Sequence, residues 1–393
     1  MDSKNFNNIY KEINKINLFF KNHIKKYLIQ NSDFSYSKKS DIIDGLLFNL
    51  LKTQINSTQT SISTFLSLNN KNKISRQGLV KRGDKISINN LNKIHNDLIK
   101  KFNKTNEVNF NIIDGTTINI YNNKTYKTIN LLGSLSNNIN SNIYNNNNFN
   151  ASELSLFYDY LDKNIFDINQ ILILDRLYFS DKFVNKCFDK NINFICRLKT
   201  NSLLLKKYNK LNNNNNYDYI ELNKGDENKK LRIITFKNNN KLYHLASNLL
   251  DTKYDIDYFK KAYKTRWNIE INFKLLKANL NLDNFKTKKQ DKINKELKSI
   301  DIVNFLFNYI LKIYNKETKN NKKINKGLFI NNFYEHLLYK LIKGKLNKKS
   351  LFFLLEIIIV FYYESKKKNN YYKRVAIMPY KKWNKKARYR KLK

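Results

Sequence analysis

Apolar residues in the first hundred positions recur at spacings near three and four. Ile9, Ile13, Ile16, Leu18, Phe19, Ile24 and Leu28 form one such stripe, and further amphipathic stretches cover 41–52 and 90–102. The pattern predicts a helical region over residues 1–105. Inside it, Asn69 to Lys73 makes a polar turn, Ser75 stands where an N-cap belongs, and Arg76, Lys81 and Arg82 decorate the short element that follows. This reads as a helix-turn-helix, or equally as two surface helices with a solvated basic face. At Val108 the texture changes. VNFNIIDGTTINIYN is a β-prone run broken at Asp114-Gly115, which predicts a strand ending in an acid, and Gly115 allows close approach beside that carboxylate. A loop with the tract Asn145 to Asn148 leads to a helix over ASELSLFYDYLDKN. Ile171 to Leu174 is then a continuous apolar run stopped by Asp175, as in a strand buried on both faces. A helix over SDKFVNKCFDKN and a strand over INFICRLK follow, so 108–199 reads β, α, β, α, β, an α/β arrangement with a mixed or parallel sheet. Residues 201–250 carry an Asn tract and three short strands, YDYIEL, LRIITFK and KLYHLASNL. From Asp255 to near 365 the chain turns helical again, with a polar break around 314–328.

Composition sharpens this picture. The chain of 393 residues holds 74 Lys plus Arg against 32 Asp plus Glu, a net charge of +42, which points to a polyanionic partner. Yet Lys outnumbers Arg 65 to 9, Asn occurs 69 times and Pro once, a bias that AT-rich codons produce, so part of the charge is compositional background. With 41% hydrophobic and 14% aromatic residues, a disordered polycation is excluded. Cys187 and Cys196 with His23, His95, His244 and His336 give neither zinc-ligand spacing nor a disulfide framework. The longest apolar run, Leu351 to Tyr363, contains Glu356 and falls short of the roughly 20 residues that a membrane span needs. No secretory signal opens the sequence, so a soluble intracellular protein without a membrane partner is expected. From Lys373 to Lys393 ten basic residues and no acid are interleaved with Tyr380, Trp383 and Tyr389.

The segment DYFKKAYKTRWNIEINFKLLKANL carries the chemistry. Placed on one helix at about 100° per residue, with Tyr263 at zero, Arg266 falls at about 300°, Glu270 at about 340° and Lys277 at about 320°. Trp267, Ile271 and Leu275 wall this stripe on one side, and Ile269, Phe273 and Leu276 on the other. A carboxylate between two apolar walls is costly without a cation or metal. Together with the strand-end acids Asp114 and Asp175, Glu270 completes the hard-oxygen set of a two-metal phosphoryl-transfer site.

These residues carry a resemblance. The sequence resembles the DDE-type transposases of bacterial insertion sequences, whose last acid lies in a Y-x2-R-x3-E-x6-K signature. Tyr263, Arg266, Glu270 and Lys277 stand in its four positions. Asp114-Gly115-Thr116 is similar to the surroundings of the first acid, ILILDRLYFS to those of the second, and FICRLKT, with Arg197, to a third element of the group. The resemblance implies a ribonuclease-H-like catalytic core in which Asp114, Asp175 and Glu270 are catalytic and hold two Mg2+ or Mn2+ ions. It implies DNA contacts from Tyr263, Arg266, Lys277, Arg197 and Arg176, to which Arg76, Lys81 and Arg82 of the N-terminal region are added. The partners would be double-stranded DNA, namely terminal inverted repeats and target DNA, and a second copy of the chain in a synaptic complex, with the protein located on DNA in nucleoid or nucleus.

The expected organisation is a helical DNA-binding region over 1–105, the first part of the core over 106–200, a β-rich insertion over 201–252, the second part with the Glu helix over 253–312, and a helical C-terminal region with the basic tail over 313–393. Two alternatives share much of this reading. One is an idle, domesticated transposase that only binds DNA; the other is a ribonuclease-H-like nuclease, which leaves the Tyr-Arg-Glu-Lys stripe unexplained.

Overall fold

The computed structural model describes residues 3–360 except 30–38, 55–57, 70–74, 103–108, 123–124, 213–218, 222–228, 239–240, 286–288, 319–325 and six single positions. The basic tail, the 70–73 turn and most of the second Asn tract therefore lie outside the described residues.

The N-terminal stripe becomes α1 (Ser3–Ile29), followed by α2 (Lys39–Leu51), α3 (Thr58–Asn69), α4 (Arg76–Lys85) and α5 (Ile88–Phe102). The spacing shows why they are helical: α5 buries Leu91, Ile94, His95 and Leu98 on one face. The hydroxyl of Ser75 accepts from the Gly78 N–H and starts α4. This helix crosses α2 closely, because a Cβ on Gly45 would lie 2.5 Å from the Arg82 carbonyl, and Asn49 Nδ2 donates to the Gly83 carbonyl at 2.9 Å.

The central region holds β1 (Asn109–Asn122), β2 (Thr125–Ser136), β3 (Asn140–Tyr144), α6 (Glu153–Lys163), β4 (Gln170–Leu174), α7 (Asp181–Asp189), β5 (Asn193–Arg197), α8 (Leu203–Asn212), β6 (Tyr219–Glu221), β7 (Lys230–Asn238) and β8 (Lys241–Ser247). They form one eight-stranded mixed sheet in the order β3-β2-β1-β4-β5-β8-β7-β6. β2 is antiparallel to β1 and β3, whereas β4 and β5 run parallel to β1. This is the ribonuclease-H-like order, extended beyond β5 by the antiparallel β8, β7 and β6. The parallel strands β4 and β5 are the continuous apolar runs, buried on both faces.

Two expectations need correction here. The stretch between Asp114 and the Asn145 tract contains two strands, β2 and β3, that the β, α, β, α, β reading left out. And β1 does not end at Asp114: its parallel ladder to β4 stops at Ile112, but the antiparallel ladder to β2 continues through Gly115 to Asn122. Antiparallel pairing alone carries the strand on, so the acid sits where one neighbour drops away.

Helices complete the described residues: α9 (Ile256–Lys264), α10 (Trp267–Asn279), α11 (Gln290–Thr318), α12 (Lys326–Asn332), a π-helical turn (Phe333–Leu338), α13 (Tyr339–Ile342) and α14 (Lys348–Val360). α11 packs on α1, α2, α5 and β3, with Ile302, Val303, Phe305, Leu306, Phe307 and Ile310 buried nearly all round it. Its buried Asp301 accepts the Ile143 N–H at 3.1 Å and Lys298 Nζ at 3.1 Å, fixing β3 to the helix. Asp44 of α2 is buried between Lys343, just past α13, and Arg82 of α4, which ties α2 and α4 to the end of α13. α14 sends Leu351 and Leu355 into this core and leaves Phe352 and Phe353 exposed. Among the described residues no helix is long and apolar enough to cross a membrane.

Candidate active site

Register brings the first two acids together. Ile112 pairs with Ile173 across the parallel strands, so Asp114 and Asp175, each two residues further on, leave adjacent strands at one level. The Gly115 N–H donates to Asp114 Oδ1 at 3.0 Å, and the turn after β4 closes as the Tyr178 N–H donates to the Asp175 carbonyl at 3.2 Å.

Glu270 arrives on α10 through a notch in the sheet. Gly133 on β2 is the register partner of Asp114, and a Cβ there would lie 2.5 Å from the Phe273 ring. Phe273 therefore seats α10 directly over that pair, with Glu270 three residues earlier on the adjoining turn. The single helix expected over 257–280 is in fact α9 and α10. The Thr265 hydroxyl takes the Ala262 carbonyl at 2.6 Å, and the N–H groups of Thr265 and Arg266 make short i to i−3 bonds, which tightens the backbone between the two helices. The flanking walls also differ from expectation. Ile269, Phe273 and Leu276 are buried, but Trp267 and Ile271 are 56% and 51% exposed, because only one side of α10 faces the sheet.

Arg266 is the hub. Its Nη1 donates to Asp114 Oδ2 at 3.3 Å and its Nη2 to Glu270 Oε1 at 2.7 Å, while the guanidinium lies 4.8 Å from the Trp267 ring. Only 8% of Arg266 is exposed, so this fork is committed to the acids. The Tyr263 hydroxyl donates to Asp175 Oδ1 at 3.4 Å, and burial together with the Asp175 charge holds that hydroxyl protonated, well above its ordinary range. Lys277 reaches back to β1, donating to the Thr117 carbonyl at 2.6 Å and lying 3.5 Å from Asp283. All four stripe residues thus meet β1 or the acids.

Electrostatics single out Asp114. Burial pushes its carboxyl up to about 6, with Glu153 and Asp175 adding to the rise and Arg266 and the Gly115 N–H opposing it. Glu153, the first residue of α6, was not anticipated. It follows the N-cap Ser152 and so looks in sequence like an ordinary helix-start acid. Its carboxylate instead lies against Gly115 and accepts the Tyr178 O–H at 2.6 Å. The one signal in the sequence was the glycine, whose missing side chain leaves the space that Glu153 fills.

The donor chemistry suits a hard divalent cation: Asp114, Asp175, Glu153 and Glu270 supply carboxylate oxygens against one guanidinium. Among the described residues no three acid, His or Cys groups are drawn to a single point, since Arg266 holds Asp114 and Glu270 to itself. The remaining expected DNA contacts lie elsewhere. Arg176 is exposed just after Asp175, and Arg197 at the end of β5 stacks 4.5 Å over the Tyr243 ring. Arg76 and Lys81 are exposed on α4, while Arg82 pairs with Asp44 at 3.5 Å.

Strand order and clustered acids at the point where β4 ends define a ribonuclease-H-like core with an acidic centre. Residues 109–300 match the family model described as the transposase DDE domain. Among similar solved structures is the cryo-EM structure of a piggyBac transposase synaptic complex with hairpin DNA. It is 14% identical, with a TM-score of 0.44 over 87% of this chain and 84% of that one. No curated protein matches the chain.

Proposed function

We propose that the protein is a DNA transposase that cuts phosphodiesters at the ends of a mobile element and joins the freed 3′ hydroxyl to target DNA. The observation that carries this reading is the meeting, inside the transposase DDE span, of Asp114, Asp175 and Glu270 with Arg266 and Tyr263 between them. Asp114, Asp175 and Glu270 would hold two Mg2+ or Mn2+ ions, which when bound activate the attacking oxygen and stabilise the leaving one.

The chain's own residues set the stage for that chemistry. Tyr263 orients Asp175, and Arg266 keeps Asp114 and Glu270 within one centre while spreading positive charge beside it. Arg266 takes only Oε1 of Glu270, so the other carboxylate oxygen would be available to a cation while the guanidinium offsets the charge of the acids. Arg176, next to Asp175 in the chain, with Arg197 and Lys277 would supply further phosphate contacts, and the exposed Arg76 and Lys81 of α4 would extend the track. A second copy of the chain would bring two element ends together.

Asp175→Asn tests the reading. It keeps the shape of the side chain and removes a ligand charge, so cleavage of DNA carrying the element's own inverted repeats in Mg2+ or Mn2+ should fall at least about a hundredfold, with DNA binding retained. Cleavage at the wild-type rate in this variant would refute the assignment.

A further inference from the structure

We propose that Glu153 is a fourth carboxylate of the acidic centre, turned toward the cation held beside Asp114 and kept in that orientation by Tyr178. The inference rests on the reading above and deepens it. Three observations carry it. The Glu153 carboxylate occupies the space of an absent side chain: a Cβ on Gly115 would lie 2.0 Å from its Cδ and 2.2 Å from Oε2. Gly115 directly follows Asp114, so the carboxylate sits one residue along the backbone from the first acid. Last, the Tyr178 hydroxyl, on a side chain with no solvent exposure and a ring 4.6 Å from that of Phe157, is spent on Glu153 Oε1 at 2.6 Å.

A helix-start acid that only favours the α6 dipole needs none of this. Ser152 already caps α6 through the Ser155 N–H at 3.1 Å, and an exposed Glu153 would serve the dipole equally well. Here the side chain is directed inward onto backbone with no room for any residue but glycine. A buried tyrosine occupies one of its oxygens, leaving lone pairs on the other for a hard cation. The roles then divide: Arg266 holds Glu270 on one side of Asp114, and Tyr178 holds Glu153 on the other.

The test measures cation binding apart from cleavage. The full chain is titrated with Mn2+ alone by calorimetry and by the loss of the free-ion electron paramagnetic resonance signal, and melting temperature is recorded in EDTA. Glu153→Gln, which can still accept from Tyr178, should weaken Mn2+ binding about tenfold with an unchanged metal-free melting temperature; Tyr178→Phe should weaken it by a smaller factor. Glu153→Asp keeps the charge but withdraws it from Gly115, and it should also lose affinity, which guards against a Gln variant that folds poorly. Wild-type Mn2+ affinity in both Glu153 variants, while Asp175→Asn loses it, overturns this inference and leaves the proposed function standing. Failure of the wild-type chain to bind Mn2+ overturns both.

Discussion

Asp114 shows what one misplaced proton would do. Its carboxyl stands at about 6 in the folded chain against an ordinary 3.8, so between those values the folded state binds a proton that the unfolded chain has released. The group's contribution to metal-free stability is therefore greatest below pH 4, declines as pH rises toward 6, and is flat above. A cation competes with that proton. Mn2+ should raise the melting temperature more at pH 7.5 than at pH 5, read by differential scanning fluorimetry, and an equal rise at both would contradict the account. Asp114→Asn should be the more stable protein without metal at pH 7, by on the order of 1 to 2 kcal/mol, and should lose Asp114's share of the pH slope, while the buried Asp301, also raised to about 6, keeps its own. At this scale the three candidate acids stood out in the sequence because each ends or interrupts an apolar run. Glu153 was not, since its partners Gly115 and Tyr178 lie 38 and 25 residues away in sequence, and only folding reveals that they share a space.

Between elements, the seat of α10 depends on an absent side chain. Gly133→Ala places a methyl where the Phe273 ring lies, 2.5 Å away in the present packing, so the helix must shift or the ring must turn. Overpacking of this kind costs about 1 to 3 kcal/mol, and Phe273→Leu in the same chain should recover part of it. Urea unfolding of the single and double variants measures both effects. DNA cleavage should fall more steeply than stability, because Glu270 rides on the same helix as Phe273. Secondary structure was readable where periodicity is strong, as in α5, β4 and α11. It failed for β2 and β3, whose Asn and Ser positions imitate a loop although Ser134, Ser136 and Ser141 are buried in the sheet. It failed again at Thr265, where no proline or glycine announces the break, because a threonine hydroxyl can take a backbone carbonyl without leaving a mark in the hydrophobic pattern.

For the whole molecule, the net charge of +42 is distributed between two uses. Some lysines are structural, as Lys343 is for the buried Asp44 and Lys298 for Asp301. Lys343→Ala removes the nearer of the two cations beside the buried Asp44 and should cost about 2 to 4 kcal/mol; Lys343→Met with Asp44→Asn should restore much of it. Because Asp44 joins α2 to the C-terminal helices, the loss should appear in one cooperative transition as the urea midpoint falls. Under the proposed function the exposed remainder would govern association with DNA. Binding to DNA of unrelated sequence should weaken steeply with salt, and Arg76→Ala with Lys81→Ala should reduce the slope of log affinity against log salt by about two. An unchanged slope would remove α4 from the proposed DNA-binding surface.

The bond from Arg266 to Asp114 spans 152 residues of chain. During synthesis the strands bearing Asp114 and Asp175 leave the ribosome long before α10, and the sheet must also admit β8 beside β5 before α9 and α10 can be laid across it. Such distant closures come late in folding. A nascent or truncated chain that stops before residue 266 therefore presents Asp114 and Asp175 with neither the arginine that binds Asp114 nor Glu270, and the candidate site is assembled only after about two thirds of the polypeptide has been made.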